Sequence, residues 1–129
     1  MLEKYSRYSP IAIRYSVGIV FFLIGIDQLL KPDLWASYFP DWITTFSSIS
    51  TFVTLNGIFD AAIGAFLLLG LLTRLVSAIA VLHLLGVIYT LGYNDIAIRD
   101  LGILIAAIAV FMHGPDEWSL DRKLWPKRS

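Results

Sequence analysis

Two ionisable residues, Asp60 and His83, fall near the middle of long apolar runs, and Asp27, Gln28, Asn56, Arg99 and Asp100 lie toward one end of such runs. A carboxylate and an imidazole at matching depth can relay a proton. With a guanidinium beside them they can supply the hydrogen-bond donors that the carbonyls of a quinone headgroup need, and a proton route. An ionised side chain at mid-bilayer costs at least ~2.5–3.5 kcal/mol, so Asp60 calls for a partner. Arg99, long enough to reach inward from the end of its run, is the expected one. Asp27 lies ~100° from Gln28 around a helix, which leaves two readings. It either closes the pocket around Arg99 or caps its helix end among lipid headgroups. His83 likewise reads as a hydrogen-bonded packing residue or as a proton relay and headgroup donor paired with Asp60. For the cluster as a whole, a structural polar latch and a ligand site stand side by side.

The elements that must position these groups follow from composition. Of 129 residues, 57% are hydrophobic and only 16% charged, and the mean hydropathy is +0.73. That is more apolar surface than one core of this size can bury, so a lipid bilayer is the expected solvent. Ten basic and ten acidic residues cancel, which gives no nucleic-acid footprint. There is no cysteine, which excludes disulfides, thiol relays and cysteine-based metal sites. Neither a flavin or nucleotide fingerprint nor a strong metal site is present, so no intrinsic cofactor is expected. The N-terminus leads into its apolar run without a small-residue cleavage site, and no removable signal peptide is expected.

A membrane-crossing helix needs roughly 20 mostly apolar residues. Four runs meet or approach this: Ile11–Leu30, about Thr51–Leu72, Leu75–Leu91 and about Ile96–Met112. They predict an all-α integral membrane four-helix bundle, antiparallel and up-down, in a single domain spanning 1–129. Thr73 and Arg74 form the tight turn between the second and third helices. Residues 31–50 read as an interfacial loop, with Trp35, Tyr38, Phe39 and Trp42 at headgroup depth. Lys4, Arg7, Arg14, Arg74, Arg122, Lys123, Lys127 and Arg128 share one face and leave only Lys31 and Arg99 on the other. The positive-inside rule then puts both termini in the cytoplasm of a prokaryotic cell, with the chain multi-pass in the inner membrane.

Residues three and four apart share a helix face. The first helix gives Arg14, Gly18, Phe21, Gly25 and Gln28, and the second Asn56, Asp60 and Gly64. The third gives His83, Gly86, Thr90 and Tyr93, and the fourth Arg99, Gly102, Ala106, Ala109 and His113. Small residues permit close helix approach in lipid, so these stripes are expected to line the inside of the bundle.

The run DAAIGAFLLLGLLTRL, Asp60 to Leu75, resembles the second-helix signature of DoxX-like membrane proteins. The tail HGPDEWSLDRKL, His113 to Leu124, resembles that family's ending, and GIDQLLKP resembles the end of its first helix. Two positions depart: the family's second-helix acid is commonly glutamate where Asp60 stands, and lysine or histidine is frequent near Gln28. The resemblance implies a four-helix membrane protein, some relatives of which belong to quinone-reducing sulfur-oxidising complexes. A redox accessory holding a quinone headgroup, and needing a membrane partner subunit to bring electrons, is the leading expectation. A non-enzymatic scaffold or assembly factor is the alternative, as is a small-solute or proton pathway, which would need a homo-oligomer because four short helices leave scant room for a pore.

Overall fold

A computed structural model describes residues 2–45, 48–92 and 94–126, and every regular element among them is helical. Tyr93, Lys127 and Arg128, named above, lie outside the described residues. A short α1 (Glu3–Ser6) precedes α2 (Ser9–Leu30), followed by α3 (Pro32–Ala36) and a 3₁₀ turn at Asp41–Thr45. Then come α4 (Ile49–Leu69), α5 (Thr73–Leu91), α6 (Asp95–His113) and a terminal α7 (Leu120–Leu124). The helices α2, α4, α5 and α6 are each long and apolar enough to cross a membrane. No more than 33% of each crossing segment is buried inside the protein. The outward Leu23, Leu55, Leu82 and Ile105 are largely exposed and need lipid around them. The chain is a multi-pass membrane protein.

Local chemistry sets the helix ends. Pro10 stands in the first turn of α2, where its missing N–H costs nothing. Lys31 ends that helix because Pro32 follows it. Ser48 caps α4 by accepting from the Thr51 N–H at 3.2 Å, and Asn94 caps α6 by accepting from Ala97 at 2.9 Å. Gly70, at φ +72°, closes α4 in the left-handed conformation. The break between the second and third spans therefore falls at 70–72, and Thr73 and Arg74 belong to the first turn of α5.

In the bundle, α2 packs most closely on α4 and α5 on α6, while α2–α6 and α4–α5 contacts complete the ring. The α2–α4 approach is made by glycines. A Cβ on Gly25 would fall on the Ala61 backbone, and one on Gly64 on the Phe22 backbone. On α2 the whole expected stripe, from Arg14 to Gln28, is buried. On α6 the buried face is instead Ala97, Asp100, Leu104, Ala107 and Val110, while Arg99, Gly102 and His113 are exposed. The expected α6 face is wrong by about one residue, some 100° of the wheel. Small residues mark a packing face only where backbones approach closely, and no described atom lies within 4 Å of a Cβ built on Gly102.

Residues 114–124 staple together the bundle end that carries both termini. Arg14, 1% exposed, meets Asp116, 2% exposed, through Nε at 2.6 Å and Nη2 at 3.1 Å. Its Nη1 donates to the carbonyls of Leu67 and Leu68, at 2.6 and 3.0 Å, in the last turn of α4, where intrahelical donors run out. Asp121 takes the N–H groups of Leu72 and Thr73 on its two oxygens, each at 2.7 Å, and so caps α5 from outside that helix. Leu72 is held at φ +49°, a strained setting for a residue with a side chain, and these charge-assisted bonds offset the strain. Asp121→Ala is expected to lower stability by about 1.5–3 kcal/mol, read as an earlier thermal melt in detergent, and Asp121→Asn to fall between it and the parent.

Candidate functional site

At the opposite end the two helix pairs separate around a cavity of about 410 Å³. Its polar wall is Gln28 of α2, Asn56 and Asp60 of α4, His83 and Thr90 of α5, and Arg99 and Asp100 of α6. Trp35, Tyr38, Phe39 and Trp42, from the connector between α2 and α4, close the end. The expectation of an interfacial aromatic loop missed this second role. The connector forms a strap seated on the bundle, with Ile43 only 3% exposed and the Phe39 ring edge-on to Phe52 at 5.3 Å.

Asp60, 5% exposed, is the centre of the polar wall. Its Oδ2 accepts from Asn56 Nδ2 at 3.1 Å and, at the limit of 3.5 Å, from Gln28 Nε2. Asn56 also donates to Gln28 Oε1 at 2.9 Å, which ties α2 to α4. The His83 Nε2 approaches Oδ1 to 2.9 Å. That approach is close but not aligned as a hydrogen bond, and Oδ1 is buried with no hydrogen bond among the described residues. The imidazole is held between the rings of Phe59, at 5.0 Å, and Phe21, at 6.3 Å, which limits its rotation.

Six of the seven expected site residues line this cavity, and two expected pairings do not form. Arg99 does not reach Asp60: its Nε and Nη2 lie 3.3 and 3.2 Å from Asp100 Oδ1, and its side chain is 52% exposed. Asp60 already has amide donors and an imidazole at its own depth. Arg99, one turn into α6, keeps water and the neighbouring carboxylate rather than carrying its charge inward. Asp27 does not close the pocket around Arg99 either. Its Oδ2 accepts from Trp35 Nε1 at 2.8 Å and its Oδ1 lies 3.3 Å from Lys31 Nζ. It thus pins the strap from the rim, and the acid near the end of the first span serves the cavity through Trp35.

The strap aromatics and the Arg14–Asp116 pair are what sequence reasoning missed. An indole eight residues past an acid, across a proline turn, was a signal for the first. For the second, the signal was an arginine on the same stripe as Gly18 and Gly25.

A family model for DoxX proteins matches residues 9–92, which take in α2 through α5 and with them Gln28, Asn56, Asp60 and His83. An uncharacterized membrane protein of Mycobacterium tuberculosis is 30% identical over 133 aligned positions, covering 90% of this chain and 81% of that relative. No solved structure gives a significant match.

Proposed function

The chain belongs to the DoxX family of membrane proteins, and on that premise we propose that its strap-end cavity binds the headgroup of a membrane quinone. The protein would then be the quinone-holding accessory of a redox partner subunit in the prokaryotic cytoplasmic membrane, with the strap end outward. The observation that carries this reading is Asp60: a nearly buried carboxylate on the cavity wall, with Oδ2 bonded to amides and Oδ1 buried, without a hydrogen bond among the described residues, 2.9 Å from His83 Nε2. Buried polar atoms without partners are rare, and one on a residue that lines a cavity suits a ligand donor entering beside the imidazole. The hydroxyl of the quinol formed would supply such a donor, and His83, its Nε2 2.9 Å from Oδ1, would pass a proton through Asp60 to the quinone oxygen as it is reduced. For the oxidised form, Gln28 Nε2, which gives one of its two N–H groups to Asp60, has the other for a carbonyl. The electrons come from the partner subunit, since reduction of a quinone takes two electrons and two protons.

Mass spectrometry of lipid extracted from the purified protein tests this directly. Wild type is expected to retain close to stoichiometric quinone. Asp60→Asn is expected to bind at least about tenfold more weakly, the scale of one lost charge-assisted hydrogen bond, while keeping its fold. Absence of quinone in both, with Asp60→Asn merely melting earlier, would make the Gln28–Asn56–Asp60 network a latch between α2 and α4 and move the function to a scaffold.

A further inference from the structure

Gly86 is unlike the glycines that join α2 to α4. Gly18, Gly25, Gly57 and Gly64 all have neighbouring atoms within 3.2 Å of where a Cβ would stand. No described atom lies within 4 Å of a Cβ built on Gly86, although it sits mid-helix and lines the cavity. An exposed helical glycine costs about 1 kcal/mol relative to alanine, and here no close packing compensates. What it leaves is a notch in the cavity wall. Leu82, one turn earlier, also lines the cavity and is 69% exposed. The cavity therefore runs out to the surface of α5. That surface lies about 7–8 Å inside the end of the helix, within the hydrocarbon. On the strap side, the wall is aromatic and is pinned by the Asp27–Trp35 bond.

We infer that the Gly86 notch is a lateral portal, through which a lipid-borne ligand enters from the bilayer and its long isoprenoid tail leaves. The inference rests on the quinone reading of the cavity and adds the class of ligand: a headgroup carried on a membrane-dissolved chain. Headgroup and tail are then recognised by different features. The Asp60 wall takes the head, and the open glycine passes the tail. A Cβ at position 86 would meet no described atom outside its own helix within 4 Å, so a side chain rooted there can narrow the portal without a clash at its base.

The test compares a quinone bearing a long isoprenoid tail with the same headgroup lacking the tail, each titrated against the protein in nanodiscs. Quenching of the tryptophans reports binding, because Trp35 and Trp42 line the cavity. Wild type is expected to bind both. Gly86→Leu is expected to weaken the tailed quinone at least about tenfold and to leave the tail-free headgroup within about twofold. Leu82→Trp, narrowing the same exit, is expected to act in the same direction, and Gly102→Leu, at an open glycine outside the cavity, to change neither ligand. Wild-type affinity for both ligands in Gly86→Leu and Leu82→Trp would overturn the portal while leaving the quinone reading intact. Equal loss of both ligands would also overturn it, by placing Gly86 in the headgroup site. Binding of neither ligand by wild type would overturn the quinone reading, and the portal with it.

Discussion

Arg14→Met is expected to destabilise the folded protein by about 3–5 kcal/mol, the usual cost of removing one partner from a buried ion pair. The methionine fills much of the space, so the loss is electrostatic. Asp116, 2% exposed, would keep a carboxylate with no cation beside it. The carbonyls of Leu67 and Leu68 would lose the guanidinium bonds at the same time, Leu67 keeping the Gly70 N–H at 3.2 Å. Asp116→Asn should move in the same direction by less, because an amide can still accept one of the two guanidinium bonds. The double change Arg14→Met with Asp116→Leu should recover part of the loss, since it leaves no buried charge. Equilibrium unfolding of the four proteins in one detergent gives the comparison. Additive losses in the double variant would show that the two residues do not act as a pair.

The second large effect is expected from Gly64→Val. The Cβ alone would meet the backbone N, Cα and Cβ of Phe22. None of those atoms is the far end of a flexible side chain, so α2 and α4 must part along their closest contact. Overpacking usually costs about 1–3 kcal/mol, and a clash with backbone belongs at or above the top of that range. Gly18→Ala sets the scale from below. Its added Cβ would meet Leu68 Cγ and Cδ2 at 3.1 and 3.2 Å and the Leu68 backbone N at 3.2 Å, so a shift of a few tenths of an ångström suffices, against the much closer overlap with the Phe22 backbone at Gly64. A cost below about 1 kcal/mol is expected there. Thermal melts that rank Gly64→Val far below Gly18→Ala would confirm that the α2–α4 seam is held by backbone proximity, and equal melts would refute it.

The crossing helices could be read directly from the sequence, because hydropathy and span length are properties of each segment alone. The polar wall contributed by α2 and α4 was also legible. There the glycines and polar groups share the face that packs, so periodicity identifies Gln28, Asn56 and Asp60 together. On α5 and α6 the same rule misled. Gly86 and Gly102 have open space where close contact was expected, and α6 buries Leu104 and Val110 instead. Arg99 was assigned to Asp60 by charge alone, which ignores the nearer Asp100 and the water it would have to leave. The Arg14–Asp116 pair spans 102 positions of sequence, and no local pattern encodes a bond of that range. Arg14 counts toward the charges that orient the chain and also falls on the inward stripe of its helix, and in the fold it is one of the most buried side chains.

The stapling segment also has a consequence for the order of assembly. Chains are made from the N-terminus, and α2 leaves the ribosome with Arg14 long before Asp116 exists. The N–H groups of Leu72 and Thr73 likewise wait for Asp121. Until residues 116–121 are synthesised, the four spans have an unpaired Arg14 guanidinium and an α5 without its Asp121 cap. Closure of the bundle therefore waits for a segment made after all four spans, and a chain that lacks it is the form most exposed to membrane proteases and chaperones.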